Sequence, residues 1–140
     1  MNNIINASLL IDDDRATTFF NRYLLLKHGA FKNVKTLQGG MEALDYLKNL
    51  DQKLNIKPDL IFLDINMPFM SGWDFLREFA RLGNEIKENI KIIMLSTSSD
   101  PRDLERAGEN KYVNDFINKP LTQFDINRML QKHFSYRIAT

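Results

Sequence analysis

The 140-residue sequence contains no cysteine. This absence excludes disulfide bonds and thiolate metal sites, and it is consistent with a reducing compartment. The sequence also lacks the basic start and the apolar stretch of a signal peptide, and no apolar run approaches the ~20 residues of a membrane span. We therefore expect a cytoplasmic protein that has no membrane association.

The sequence also lacks an excess of charge of either sign. Nineteen basic and eighteen acidic residues give a formal net charge of +1, so nothing in the balance favours nucleic acid or an anionic membrane surface as a partner. No repeat, low-complexity segment or Pro/Gly/Ser-rich linker separates a second unit. We expect one domain over residues 1–140, without an attached output domain, whose default partner is another protein.

Short apolar runs alternate with helical patterns along the chain. The runs predict strands near residues 7–11, 34–37, 59–63, 90–95 and 114–117. Residues 59–63 are nearly all apolar, as in a strand that is covered on both faces. Because parallel strands require crossover connections, this alternation predicts a doubly wound α/β fold with a five-stranded parallel sheet and five helices.

Several signals predict where the helices lie and which sides they bury. The first helix should be amphipathic, with another at residues 73–82. Gly29 suits the end of the first helix, Asp100 and Thr122 suit helix starts, and Asp125 completes part of a capping box with Thr122. The apolar positions assigned to the first two helices are Ala16, Phe19, Phe20, Tyr23 and Leu24, and then Met41, Leu44 and Leu47.

Polar side chains follow four of the five predicted strands. Asp12 and Asp13 follow the first, Asp64 the third, Ser96 the fourth and Lys119 the fifth. In doubly wound sheets the ligand crevice lies at the carboxyl ends of the strands, so these groups should converge. Crowded carboxylates repel one another unless a cation neutralises them. Oxygen ligands without histidine or cysteine favour Mg²⁺, with Mn²⁺ as a possible substitute.

Each of these residues also has an ordinary explanation when it is taken alone. An aspartate after a strand is more often a helix cap, and a single lysine is usually a surface residue. Ser96 could be a polar strand end. The occurrence of all of them at the correct strand ends is what favours a functional site.

At these residues the sequence resembles the receiver domain of bacterial response regulators, the phosphoacceptor half of two-component signalling. The resemblance covers nearly the whole chain and is carried by residues 9–13, 58–68, 72, 95–96 and 116–120. It implies a flavodoxin-like, CheY-like fold with the strand order 2-1-3-4-5.

The resemblance also implies a role for each matching residue. Asp64 would accept the phosphoryl group, and Ser96 and Lys119 would contact its oxygens. Asp13 and Asp64 would bind Mg²⁺ directly, Asn66 through its backbone carbonyl, and Asp12 through a water molecule. Movement of the Ser96 hydroxyl would make room for Phe116, so that these two residues form the switch.

The implied function is that of a stand-alone response regulator. A sensor histidine kinase or a histidine phosphotransfer protein would phosphorylate Asp64, and the domain would dephosphorylate itself. Phosphorylation would change the binding of a downstream protein, by a monomer or by a phosphorylation-dependent dimer. Such a protein is not an enzyme that acts on external substrates.

Three positions depart from the family pattern or leave the assignment open. The acidic pair could be Asp12 with Asp13 or Asp13 with Asp14; we choose the first, which leaves Asp14 as a helix cap. The switch hydroxyl could belong to Ser96 or to Thr97. Tyr112 and Val113 occupy the place where the family usually has glycine and alanine, which makes Tyr112 either a distinctive contact or a partly buried aromatic residue.

Two other functions fit parts of the pattern. A phosphatase of the haloacid dehalogenase type would use Asp64 as its nucleophile, but such enzymes normally have an acid two residues later, where this chain has Asn66. A flavodoxin-like electron carrier would need a Ser/Thr/Gly-rich phosphate-binding loop after the first strand, and the chain has none there.

Overall fold

The computed structural model describes residues 4–51, 55–97 and 100–135, and its centre is a parallel β-sheet. The five strands of these residues are β1 (Ile5–Ile11), β2 (Phe31–Leu37), β3 (Leu60–Asp64), β4 (Lys91–Ser96) and β5 (Val113–Asn118). They pair in the order β2-β1-β3-β4-β5, with every pair parallel. The predicted sheet and strand order are confirmed.

The described residues contain six helices, five of which lie between strands while the last follows β5. They are α1 (Arg15–His28), α2 (Gly40–Lys48), α3 (Gly72–Phe79), α4 (Asn84–Lys87), α5 (Pro101–Glu109) and α6 (Gln123–Phe134). None of them has the length and apolar character needed to cross a membrane. The doubly wound class is confirmed, with one short helix more than expected.

The additional helix, α4, lies directly after the segment for which the sequence predicted one helix, residues 73–82. After Phe79 the backbone tightens, and Leu82 N donates to the carbonyl oxygen of Phe79 at 3.0 Å, three residues back. Gly83 then takes an extended conformation (φ −63, ψ 153) and caps the four-residue α4. Glycine is a weak helix former, so it separates the two helices.

The core has two layers, one on each face of the sheet. Because side chains alternate along a strand, Leu9 and Leu63 face one layer, whereas Leu10 and Phe62 face the other. The first layer is completed by residues of α2, α3 and α5, and the second by residues of α1 and α6. All five residues of β3 are buried, as expected for a strand covered on both sides.

Helix α1 is oriented differently from the sequence prediction. Phe19, Phe20 and Tyr23 belong to the apolar pattern from which the amphipathic helix was predicted, but they are 70%, 68% and 59% exposed. The buried residues of α1 are Thr18, Asn21 and Leu25. The Thr18 hydroxyl donates to the carbonyl oxygen of Arg15 at 3.0 Å, so its burial leaves no unpaired donor. The aromatic side chains therefore form a surface on α1.

Helix α2 shows a smaller difference of the same kind. Leu44 and Leu47 are buried as predicted, whereas Met41, in the first turn, is 68% exposed.

The predicted helix ends are confirmed. Gly29 ends α1 with φ 91, in the left-handed region that glycine adopts without a Cβ penalty. Asp100 caps α5 by accepting from Arg102 N. Thr122 and Asp125 form a complete capping box at the start of α6.

Gly72 packs α3 tightly against the end of β3. Its N–H donates to the carbonyl oxygen of Ile65 at 2.8 Å. A Cβ added to Gly72 would lie 2.6 Å from the carbonyl oxygen of Asp64 and 3.0 Å from the Cα of Ile65. Since both obstructing atoms belong to the backbone, a side chain at this position must displace the loop.

We predict that Gly72→Ala lowers the free energy of unfolding by about 1–3 kcal/mol, because the new methyl group overpacks the junction. The measurement is urea denaturation. The matched control is Gly108→Ala in α5, where a Cβ meets no described atom within 4 Å and alanine should add about 0.5–1 kcal/mol. Equal effects of the two substitutions would contradict the close contact.

Candidate functional site

Three carboxylates form an acidic cluster at the carboxyl ends of β1 and β3. Asp12 follows β1 and Asp64 ends β3; they are only 4% and 6% exposed, whereas Asp13 is exposed. One carboxylate oxygen from each of Asp12, Asp13 and Asp64 lies within 4.8 Å of the others. The acidic cluster thus combines two buried carboxylates with one that solvent can reach.

The ammonium group of Lys119 bridges the two buried carboxylates. Its Nζ donates to Asp12 Oδ2 at 2.7 Å and lies 3.0 Å from Asp64 Oδ1. The backbone N–H of Lys119 donates to the carbonyl oxygen of Ser96 at 2.8 Å, and the Lys119–Pro120 peptide bond is cis. The backbone of Lys119 is therefore held at the end of β4, and its side chain extends from there to the acidic cluster.

Burial and mutual repulsion set the charge of the site. Burial raises the pKa of Asp64 above its ordinary value, the Asp12 charge raises it further, and Lys119 opposes both effects only in part. Burial alone would lower the pKa of Lys119, but its hydrogen bonds with Asp12 and Asp64 raise the pKa overall. Lys119 therefore stays protonated at neutral pH.

The acidic cluster has the composition of a site for a hard divalent cation. Three carboxylates and one ammonium give a formal charge of −2, which a divalent ion would neutralise. All the ligand groups are oxygens, and the cluster contains no histidine or cysteine. This donor set suits Mg²⁺ or Mn²⁺ and does not suit zinc.

Asp14 points away from the cluster and caps α1. Its side chain accepts hydrogen bonds from Ala16 N and Thr17 N, and the bond from Thr17 N is the main reason why the pKa of Asp14 is lowered. The Asp14 N–H in turn donates to Asp12 Oδ1 at 2.9 Å. Of the two registers left open by the sequence, the geometry places Asp12 and Asp13 in the cluster.

The two hydroxyl candidates at the end of β4 have different environments. Ser96 is the last residue of β4 and is completely buried. Thr97 is exposed and lines a cleft of about 560 Å³ together with Lys119. Ser96 therefore belongs to the interior of the site, and Thr97 to its entrance.

The two other predicted residues, Asn66 and Phe116, are not members of the acidic cluster. Asn66 is exposed in the loop that follows β3, two residues after Asp64. Phe116 lies on β5, half-buried against the core layer that contains α2, α3 and α5.

Tyr112 is a partly buried aromatic residue. Its ring meets Phe79 edge to face with centroids 5.4 Å apart. The Lys87 ammonium donates to the Tyr112 hydroxyl at 3.2 Å. Tyr112 thus attaches α4 to the end of α3.

Sequence reasoning missed the surface beside the acidic cluster. The cleft next to Lys119 is bordered by Phe20 and Tyr23 of α1, which the sequence pattern placed on the apolar face of the helix. Reasoning from the sequence also gave no role to Phe69, whose side chain is fully exposed in the loop after β3. Pro68 and Gly72 indicate a loop in the sequence, but neither predicts the positive φ of Phe69.

Comparisons with known proteins agree with the geometry. The family model of the response regulator receiver domain matches residues 9–131. The chain is 30% identical to chemotaxis protein CheY-3 of Vibrio cholerae, over 92% of each chain. A crystal structure of a two component response regulator from Cytophaga hutchinsonii has a TM-score of 0.84 and 30% identity, over 94% of this chain and 98% of that one.

A third relative shows the same fold with a metal ion. The receiver domain of sensor histidine kinase PA1611 from Pseudomonas aeruginosa, with a magnesium ion coordinated in its active site cleft, has a TM-score of 0.73 and 22% identity. The match covers 93% of this chain and 98% of that one.

We predict that Asp64→Asn stabilises the protein at neutral pH by about 1 kcal/mol in the presence of a chelator. Folding holds the pKa of Asp64 above its value in the unfolded chain, so ionised Asp64 costs stability above that raised pKa. The cost disappears below the ordinary range of an aspartic acid, where the carboxyl group is protonated in both states. Urea titrations across this pH range measure the difference.

Asp13→Asn is the control for this prediction. Its carboxylate is exposed and screened by solvent, so the gain in stability should be smaller. A destabilising effect of Asp64→Asn at neutral pH would show that Lys119 compensates the buried charges completely.

Proposed function

We propose, because the chain belongs to the response regulator receiver domain family, that Asp64 accepts a phosphoryl group from a phosphohistidine protein. The observation that carries the proposal is the position of the Asp64 carboxylate, buried between the Lys119 ammonium at 3.0 Å and the other two carboxylates of the acidic cluster. The donor would be a sensor histidine kinase or a histidine phosphotransfer protein.

The transfer is a substitution at phosphorus. A carboxylate oxygen of Asp64 forms a bond to phosphorus while the bond between phosphorus and the donor imidazole nitrogen breaks. The electron pair of the broken bond stays with the imidazole. The Lys119 ammonium and the Ser96 hydroxyl donate hydrogen bonds to the phosphoryl oxygens, where negative charge is spread in the transition state.

The acidic cluster would hold a Mg²⁺ ion, with Asn66 contributing its backbone carbonyl, and Mn²⁺ can substitute. When it is bound, the ion neutralises charge on the phosphoryl oxygens. The oxygen-only donor set and the formal charge of −2 support this assignment. The magnesium ion described in the PA1611 receiver domain supports it as well.

The donor protein would approach along α1. The cleft that leads to Lys119 is bordered by aromatic residues of this helix. The sequence of α1 contains arginine and lysine but no aspartate or glutamate. An apolar surface with basic residues suits a donor that presents apolar and acidic side chains around its histidine.

The phosphorylated domain would act as a reversible switch. A shift of Ser96 toward the phosphoryl group leaves space that Phe116 can enter, which changes the surface of α5, β5 and α6. A downstream protein would read this surface, bound by a monomer or by a phosphorylation-dependent dimer. Since an acyl phosphate hydrolyses by itself, the signal ends without a second protein.

We predict that incubation with acetyl phosphate and Mg²⁺ adds one phosphoryl group to the wild-type protein and none to the Asp64→Asn variant. Intact-mass spectrometry measures the product. The adduct should survive acid and be lost in base, as expected for an acyl phosphate.

Asp12 and Asp13 are the nearest alternative acceptors, so peptide mapping of the adduct is the control. A phosphoryl group on either of them would contradict the assignment of Asp64. Continuous hydrolysis of a generic phosphate ester would instead favour the phosphatase interpretation.

We predict that millimolar Mg²⁺ raises the melting temperature of the wild-type protein, because an ion that binds only the folded state stabilises it by RT ln(1 + [L]/Kd). Asp13→Asn should lose most of this shift, whereas Asp45→Asn, an exposed change on α2 outside the acidic cluster, should keep it. Differential scanning fluorimetry measures both. An equal shift in the two variants would place the ion elsewhere.

A further inference from the structure

Phe69 combines two unfavourable properties in the loop that follows Asp64. Its backbone has φ 68, in the left-handed region that residues with a Cβ rarely adopt. Its side chain is also fully exposed, so the ring buries no apolar surface that would offset this conformation. Glycine or asparagine would form the same turn more easily.

The backbone around Phe69 explains how the unfavourable conformation is held. Met70 N donates to the carbonyl oxygen of Pro68 at 2.7 Å, which closes a three-residue turn with Phe69 at its centre. A turn of this kind with positive φ is the rare and strained form of the γ-turn. The turn directs the Phe69 ring into solvent.

Contacts on both sides of the turn fix the rest of the loop. Met70 packs against α2 so closely that a Cβ on Gly40 would lie 2.6 Å from its Sδ. The hydrogen bond from Gly72 to Ile65 at 2.8 Å closes the base of the loop. Strain persists where the surroundings over-determine a conformation, and such positions cluster at functional sites.

Phe69 is close enough to Asp64 along the chain for one protein donor to contact both residues. It lies five positions after Asp64, so the two Cα atoms are at most ~18 Å apart, and the closed loop makes the distance shorter. A specific interface buries about 800 Å² on each partner, equivalent to a disc of roughly 16 Å radius. The radius of such an interface is similar to the upper limit of this distance, so an interface centred on Asp64 can include the Phe69 ring.

We propose that Phe69 is a recognition residue for the phosphohistidine protein that phosphorylates Asp64, with its ring packing on apolar surface beside the donor histidine. The proposal rests on the proposed function and adds the contact that selects the donor. The loop position favours the donor over a downstream protein, because the surface expected to change on phosphorylation is formed by α5, β5 and α6. Exposed aromatic rings are typical anchors of interfaces.

The test compares a small donor with a protein donor on Phe69→Ala and Phe69→Gly. The small donor is acetyl phosphate. The protein donor is the histidine kinase of the same genome that, after autophosphorylation with ATP, labels the wild-type protein fastest. We expect labelling by acetyl phosphate to stay within about twofold of wild type, whereas transfer from the kinase falls by about tenfold or more.

Phe69→Gly separates recognition from folding. Glycine adopts the positive φ without strain, so the melting temperature of this variant should equal or exceed that of wild type while kinase transfer is lost. Ile56→Ala is the matched control. Ile56 is also an exposed apolar residue, but it precedes β3 at the opposite edge of the sheet. Its replacement by alanine should leave labelling by both donors at the wild-type rate.

Several results would overturn the proposal. If the kinase transfers phosphoryl groups to Phe69→Ala at the wild-type rate, Phe69 makes no recognition contact with the donor. If Phe69→Ala reduces labelling by acetyl phosphate and by the kinase equally, Phe69 supports the structure of the site and is not a recognition residue. If acetyl phosphate labels Asp64 but no phosphohistidine protein does, the proposal fails while the switch chemistry stands; if neither labels the wild type, the proposed function fails with it.

Discussion

The ammonium group of Lys119 is the interaction on which the rest of the site depends. Lys119 follows β5 at one edge of the sheet, and its side chain reaches Asp12 after β1, on the far side of β3 and β4. It thereby joins the ends of three strands at one point. Without this ammonium the pKa of Asp64 would rise further, because burial and the Asp12 charge act on it in the same direction. The compensation is incomplete, and the remaining negative charge is what attracts a metal ion.

The sheet supplies the rigidity that this arrangement requires. Every residue of β3 is buried, so Asp64 ends a strand that is covered on both faces. Because Gly72 has no side chain, the start of α3 can pack against the carbonyl oxygen of Asp64. In the proposed transfer, a carboxylate held in this way would lose little conformational freedom, which favours the reaction by orientation.

The sequence was most informative where topology alone brings residues together. Asp12, Asp13, Asp64, Ser96 and Lys119 each follow or end a strand, and the carboxyl ends of parallel strands lie at one edge of the sheet. The caps at Asp14, Asp100 and Thr122 were also predictable, because a cap depends on residues within one turn.

The sequence was least informative where distant contacts decide the outcome. Helix α1 buries Thr18 and Asn21 and exposes its aromatic residues, against the rule that apolar periodicity marks the buried face. The left-handed turn at Phe69 depends on the closure of the loop, which involves residues from α2 to α3. The two faces of α1 consequently answer to different selective demands. The outer face is the one that we propose for the donor protein. A duplicated copy would then acquire a new donor through a few substitutions on that face, while the inner face keeps the fold and its stability.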